Sequence, residues 1–198
     1  MSATPTPQRS STSASNQAGR TRRALPNGLS LFRLLSSPAI AALLLIDAEG
    51  LRFITIPLFV LAAITDYFDG YFARRWKVVS TLGVFIDLAA DKILVSTVMI
   101  VLVGTGAVPS WMAALIVARE FVISGIRSQA AASGKVISAS QLGKWKTTVT
   151  LIALGFTLAF PMSSPPAPVV AGLWLATIMT VASAADYIVR FWQVGING

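Results

Sequence analysis

Four aspartates in one short segment are the residues of this chain best suited to chemistry. Asp66, Asp69, Asp87 and Asp91 make up half of the eight acidic residues, and apolar sequence flanks the segment on both sides. A carboxylate at the centre of a membrane helix costs roughly 2.5–3.5 kcal/mol on insertion scales, so four together require a compensating cation. Four carboxylates are enough to hold two metal ions about 4 Å apart, as in phosphoryl transfer.

The residue types that are missing narrow the choice of metal. The chain has no cysteine and no histidine, which excludes disulfides, thiolate metal sites and the commonest general base. Any metal must therefore be held by oxygen ligands, which favours Mg²⁺, Mn²⁺ or Ca²⁺.

Two neighbouring helices are expected to position the four aspartates. Asp66 and Asp69 are three residues apart and share one helix face, and Asp87 and Asp91, four apart, share a face in the same way. A short basic loop joins the two segments. The four carboxylates can therefore converge at one end of a helix bundle.

The composition is that of an integral membrane protein. Of the 198 residues, 55% are hydrophobic and only 12% are charged, against about 25% charged in a typical soluble domain, and the mean hydropathy is +0.71. At spanning length only helices satisfy their backbone within lipid, so we predict an all-α bundle of six transmembrane helices. The six apolar stretches run roughly over 29–46, 52–73, 82–104, 108–130, 143–160 and 167–191.

The distribution of positive charge predicts the topology. Twelve of the sixteen Lys and Arg residues fall on one side of these stretches and only Arg52 on the other. The positive-inside rule then places both termini and the two basic loops in the cytoplasm. The net charge of +8 indicates anionic partners, with lipid head groups or phosphorylated substrates ahead of nucleic acid.

Two regions are expected along the chain. Residues 1–23 are polar, rich in Ser and Arg and free of acids, which predicts a disordered basic tail and leaves open an organelle transit segment. Residues 24–198 form the transmembrane domain. We see no internal repeat.

The spacing around the aspartates resembles a known family motif. The string Asp66-x₂-Asp69-Gly70-x₂-Ala73-Arg74-x₈-Gly83-x₃-Asp87-x₃-Asp91 is similar, without departure, to that of the CDP-alcohol phosphotransferase family. The resemblance implies a six-span membrane enzyme, usually a dimer, with an active site facing the cytoplasm. Such enzymes transfer a phosphatidyl or related group from a CDP-linked donor to an alcohol and release CMP.

The resemblance also implies a role for each motif residue. Asp66, Asp69 and Asp87 would be shared ligands of two divalent ions, expected to be Mg²⁺ with Mn²⁺ possible. Asp91 would bind the second ion and serve as the base for the acceptor hydroxyl. The implied donor-binding residues are Gly70, Ala73, Arg74 and Gly83. The small residues among these are also consistent with close helix packing alone.

Other segments bear on the acceptor. Residues 25–33, 90–92, 118–127 and 143–148 resemble bacterial phosphatidylglycerophosphate synthases, a group within that family. This implies CDP-diacylglycerol as donor, sn-glycerol 3-phosphate as acceptor and a location in the bacterial cytoplasmic membrane.

Cations at the predicted cytoplasmic span ends favour an anionic acceptor, because a phosphate needs two or three charge-assisted contacts. They are also explicable as ordinary positive-inside residues. The candidate residues are Arg33, Arg119, Arg127, Lys144 and Lys146.

Alternative interpretations remain open from the sequence. The acceptor could be inositol phosphate, serine or another lipid alcohol. Intramembrane carboxylates also mark ion transporters, although here the acids cluster at one end of the spans. A non-enzymatic scaffold is a further alternative, but it would gain nothing that offsets the free-energy cost of these carboxylates. Asp186 has no obvious partner and could meet Lys92 or Arg190.

Overall fold

The structure of the protein is a computed structural model. It describes the backbone of residues 11–46, 51–76, 81–133, 140–160 and 165–196. It describes the side chains of residues 28–46, 51–65, 68, 86–133, 140–160 and 165–193.

Each predicted apolar stretch corresponds to a helix of its own, and the described residues contain no strand. The prediction of an all-α fold is therefore confirmed. The helices are α1 (Ser11–Ile46), α2 (Arg52–Trp76), α3 (Thr81–Gly104), α4 (Ser110–Ala132), α5 (Gln141–Ala159) and α6 (Ala167–Ile196).

Local sequence explains several helix boundaries. Between α3 and α4 the backbone of Gly106 takes a φ of 77°, a left-handed conformation that glycine adopts without steric cost. Pro109 stands immediately before α4, where its ring presets φ and no helical N–H is lost. Ser140 caps α5, because its hydroxyl accepts a hydrogen bond from the Gly143 N–H at 3.1 Å.

The first helix is longer than its apolar segment. Residues 11–23, which composition places in a disordered tail, continue α1 in the structure. Once a helix is nucleated, each added residue gains one backbone hydrogen bond, so the apolar part of α1 can carry a polar extension. Residues 1–10 lie outside the described residues, and disorder there stays a prediction.

The helices pack as a closed ring in the order α1, α2, α5, α6, α4, α3, with α3 also touching α5 across the middle. The most extensive contacts are those of α1 with α3 and α2, and of α5 with α6. Side chains such as Ile40, Phe59, Met99 and Leu154 are almost completely buried inside the ring. Many large apolar side chains point outward instead, as expected of helices that face lipid.

Two helical segments of the described chain are long and apolar enough to cross a membrane, Gly28–Ile46 and Ala167–Gln193. A shorter apolar helix covers Arg52–Thr65. The all-helical architecture and these segments agree with a membrane protein. The full count of six spans and the position of the termini stay predictions.

Candidate active site

Helix α3 carries two of the four predicted metal ligands one turn apart. Asp87 has a side chain that is 46% exposed, and its Oδ1 faces α1. It lies 3.4 Å from the hydroxyl of Ser30 and 3.5 Å from Nη1 of Arg33, which both donate to it. The packing of α1 against α3 therefore orients the Asp87 carboxylate.

Arg33 is fully buried, with an exposed fraction of 0%, which is unusual for a guanidinium. Its carbonyl oxygen accepts hydrogen bonds from Ser36 at 3.1 Å and from Ser37 at 2.8 Å. The sequence suggested Arg33 as a ligand for the acceptor phosphate. The structure places it next to Asp87, where its charge offsets that of a carboxylate.

The remaining motif residues are described only by their backbone. Asp66, Asp69, Gly70, Ala73 and Arg74 lie in the C-terminal part of α2, and Gly83 lies in the first turn of α3. Their side chains fall outside the described residues, so the convergence of four carboxylates stays a prediction. Within the described part of the chain, no three acidic residues gather into a possible metal site.

A cavity of about 140 Å³ opens beside Asp91, between α3, α4, α5 and α6. Among its lining residues, four are cationic and two are carboxylates. The cavity therefore carries a net positive charge and suits an anion. Its charged lining consists of Asp91, Lys92, Arg119, Glu120, Arg127 and Lys146.

Three of the five cations suggested for the acceptor phosphate meet in this cavity: Arg119, Arg127 and Lys146. The other two are elsewhere. Lys144 is exposed and does not line the cavity, and Arg33 is beside Asp87. The structure thus divides one predicted group into three locations.

Glu120 holds two of the cavity's cations. Its Oε1 accepts a hydrogen bond from Nζ of Lys146 on α5 and another, at 3.5 Å, from Nη1 of Arg119 on α4 itself. Nη2 of Arg119 donates to the hydroxyl of Ser183 on α6 at 3.0 Å. Ser183 in turn donates to the carbonyl of Thr180 at 2.9 Å. The charged groups therefore connect α4, α5 and α6 at one level of the bundle.

Sequence reasoning did not select Lys92, Glu120 or Tyr187 as site candidates, although all three line the cavity. Lys92 directly follows Asp91, and its Nζ donates to the carbonyl of Leu88 at 3.0 Å. Its position next to a predicted catalytic residue was the available signal. Tyr187 comes from α6, where no motif pointed to it.

Asp186, which had two possible partners, meets Arg190. Its Oδ1 accepts from Nε of Arg190 at 3.0 Å, one turn along α6. This pair is partly exposed and does not line the cavity.

The sequence profile of CDP-alcohol phosphatidyltransferase matches residues 23–188. A Bacillus subtilis protein named CDP-diacylglycerol–glycerol-3-phosphate 3-phosphatidyltransferase is 36% identical over 85% of this chain and 95% of its own length. A protein of that name from Rickettsia typhi is 36% identical, covering 82% of this chain and 94% of its own. An Arabidopsis thaliana protein named CDP-diacylglycerol–glycerol-3-phosphate 3-phosphatidyltransferase 2 is 34% identical, covering 86% of this chain and 80% of its own length. The chain therefore belongs to the CDP-alcohol phosphatidyltransferase family.

Proposed function

We propose that the protein transfers the phosphatidyl group of CDP-diacylglycerol to sn-glycerol 3-phosphate, giving phosphatidylglycerophosphate and CMP. Relatives from two bacteria and a plant, which align with most of the chain, carry the name of this activity. The observation that carries the proposal for this chain is the cation-rich cavity that begins at Asp91.

The charges of the cavity favour a phosphorylated acceptor. Four cations line the cavity against two carboxylates: Lys92, Arg119, Arg127 and Lys146. A phosphate monoester requires two or three charge-assisted contacts. With a neutral acceptor the cavity would keep four cations against two carboxylates, and a phosphate brings the negative charge that reduces this imbalance. The volume of about 140 Å³ suits a small polar molecule better than a nucleotide-linked lipid.

Asp87 and Asp91, with Asp66 and Asp69 on α2, fit the divalent ions predicted from the sequence. Carboxylate oxygens are the ligands that Mg²⁺ prefers, and Asp87 presents a half-exposed carboxylate. When bound, such ions neutralise the charge of a pyrophosphate and lower the pKa of a coordinated hydroxyl. We propose two Mg²⁺ ions, with Mn²⁺ as a possible substitute.

The chain's own residues supply binding and proton transfer. Arg119, Arg127 and Lys146 hold the acceptor phosphate, so that the primary hydroxyl at the other end of the acceptor is directed to the Asp91 end of the cavity. Asp91 takes the hydroxyl proton as the oxygen attacks the β-phosphorus of the donor. The new oxygen–phosphorus bond replaces the bond to CMP, which leaves. This assigns most of the catalysis to positioning and charge neutralisation.

The donor would be held next to this cavity. Gly70, Ala73, Arg74 and Gly83 form the proposed cradle for cytidine diphosphate, with Arg74 donating to its phosphates. The diacyl chains remain in the surrounding lipid.

Tryptophans support a bundle that spans the membrane, and the Lys and Arg residues concentrated on one side support six spans with both termini in the cytoplasm. Trp111 and Trp174 are exposed, with ring centroids 5.4 Å apart, and Trp145 and Trp192 are exposed at the opposite end of the bundle. Trp174 and Trp192 are about 27 Å apart along α6 at the rise of an α-helix, close to the roughly 30 Å of a bilayer core. Aromatic belts mark both membrane interfaces. We place the protein in the bacterial inner membrane as a homodimer whose active site faces the cytoplasm.

The proposal is tested by measuring which acceptor supports the release of CMP. Purified protein in lipid nanodiscs receives CDP-diacylglycerol, Mg²⁺ and one acceptor at a time: sn-glycerol 3-phosphate, inositol phosphate, serine or inositol. We expect CMP release with sn-glycerol 3-phosphate to exceed that with each other acceptor by at least an order of magnitude. Faster release with serine or inositol would exclude a phosphate-binding role for the cavity. Faster release with inositol phosphate would keep that role and change the acceptor.

A further inference from the structure

One residue that lines the cavity has a buried hydroxyl without a hydrogen-bond partner in the described part of the chain. Tyr187 is 3% exposed, its side chain lines the cavity, and its phenolic oxygen is buried without a partner among the described residues. Buried tyrosine hydroxyls normally have one. A tyrosine that served only as a membrane-interface anchor would be exposed at the headgroup level. The unpaired hydroxyl of Tyr187 is therefore a sign of a missing ligand.

The position of Tyr187 indicates which part of a ligand it meets. Ser183, which accepts from Arg119, precedes Tyr187 by four residues, so both project from the same face of α6. Arg127 follows Arg119 by two turns of α4, and both line the cavity together with Tyr187. Tyr187 therefore lies one turn farther along α6 than Ser183, the residue that contacts Arg119. Arg127 lies farther along α4 in the same direction.

Arg119 also has a buried hydrogen-bond donor without a partner among the described residues. Its Nη1 and Nη2 are engaged by Glu120 and Ser183, while its Nε is buried and unpartnered within the described structure. Two residues that line the same small cavity therefore each carry a buried donor without a partner among the described residues, one charged and one neutral. Tetrahedral oxyanions accept from several such donors at once.

We propose that Tyr187 is a specificity-determining residue for the acceptor: its hydroxyl donates a hydrogen bond to the acceptor phosphate, between Arg119 and Arg127. This inference rests on the proposed function, because it takes sn-glycerol 3-phosphate as the acceptor. In this assignment the donor CDP-diacylglycerol makes no contact with the hydroxyl. Removing the hydroxyl therefore weakens acceptor binding alone.

The test is Tyr187→Phe, which deletes one oxygen and keeps the ring. We expect the KM for sn-glycerol 3-phosphate to rise roughly 10- to 100-fold, the loss expected for a hydrogen bond to a charged group. The KM for CDP-diacylglycerol stays unchanged. The Tm measured without substrates stays equal or rises, since no partner among the described residues loses a hydrogen bond.

Thr177→Val is the matched control. Thr177 is buried on the same helix, its hydroxyl donates to the carbonyl of Leu173 at 2.8 Å, and it does not line the cavity. Its loss is expected to leave the acceptor KM unchanged.

Three results would overturn the role of Tyr187: a wild-type acceptor KM in the phenylalanine variant, an equal rise in both KM values, or a Tm lowered more than in the control. If the wild-type protein itself does not use sn-glycerol 3-phosphate, the proposed function fails first. The two failures are thereby distinguishable.

Discussion

Lys146 on α5 donates its ammonium protons to the carboxylate of Glu120 on α4, and both residues line the cavity that contains Asp91. Lys146 is only 3% exposed, and Glu120 also accepts from Arg119. One carboxylate thus offsets two cations where the acceptor phosphate is proposed to bind. An incoming phosphate brings the additional negative charge that the cavity lacks.

Glu120→Gln is expected to destabilise the protein. Removing one partner of a buried ion pair leaves an uncompensated charge, which typically costs about 3–5 kcal/mol. We expect a lowered Tm, and a larger rise in Tm on adding sn-glycerol 3-phosphate than the wild type shows, because the phosphate takes over the role of counter-charge. Thermal unfolding in detergent, followed with and without the acceptor, measures both effects.

Asp186→Asn is the control for that experiment. Its pair with Arg190 is partly exposed and lies one turn along a single helix, an arrangement that contributes little to stability because solvent screens it. Its Tm should stay close to that of the wild type. If Glu120→Gln is no less stable than this control, the Glu120 pairing does not stabilise the bundle.

Asp91→Asn is expected to reduce kcat by at least about 100-fold, the lower range for loss of a general base. Asparagine keeps the size of the side chain but cannot accept the hydroxyl proton. Single-turnover release of CMP at saturating Mg²⁺, donor and acceptor measures the effect. Undiminished release would exclude Asp91 as the base.

Arg127, near the end of α4, and Lys144, near the start of α5, are two cations that can be compared directly. Both are exposed, but only Arg127 lines the cavity. Arg127→Ala is expected to raise the KM for sn-glycerol 3-phosphate by roughly tenfold, as for a lost charge-assisted hydrogen bond. Lys144→Ala should change it by less than about twofold, because a solvated cation outside the cavity contributes little.

The comparison uses initial rates at saturating CDP-diacylglycerol and constant ionic strength. Equal effects of the two substitutions would mean that general positive charge, and not the cavity, attracts the acceptor. In that case the proposed phosphate site would be wrong.

Removal of divalent ions is expected to abolish CMP release. The proposed ligands are all carboxylates, whose mutual repulsion is relieved by a cation. Treatment with EDTA followed by dialysis should stop the reaction, and added Mg²⁺ or Mn²⁺ should restore it. Full activity in the presence of EDTA would contradict the assignment of Asp66, Asp69, Asp87 and Asp91 as metal ligands.

Much of the fold follows from local sequence. The six apolar stretches match the six helices because a segment of spanning length must satisfy its own backbone. The turn at Gly106 and the cap at Ser140 follow from the conformational freedom of glycine and from a serine hydroxyl. Asp186 meets Arg190 because the two are one helical turn apart. The tail was the exception, since composition did not anticipate that α1 extends back to Ser11.

The candidate site was only partly accessible from sequence. The spacing of Asp87 and Asp91 predicts a shared helix face, and the family motif identifies the reaction class. Among the predicted acceptor cations, however, sequence did not separate Arg127 from Lys144. Both carry a positive charge and lie at comparable depths in the predicted spans, and the structure separates them because only Arg127 turns toward the cavity.

The sequence alone therefore determined the helices, the aspartate pairs and the family, because these depend on periodicity and on residues close together along the chain. Tertiary packing decided the rest. It buried Arg33 against Asp87, brought Arg119 and Lys146 to Glu120, and added Lys92 and Tyr187 to the cavity. These contacts join helices whose rotation about their own axes is set by side-chain packing around the whole ring, and no local pattern encodes that rotation.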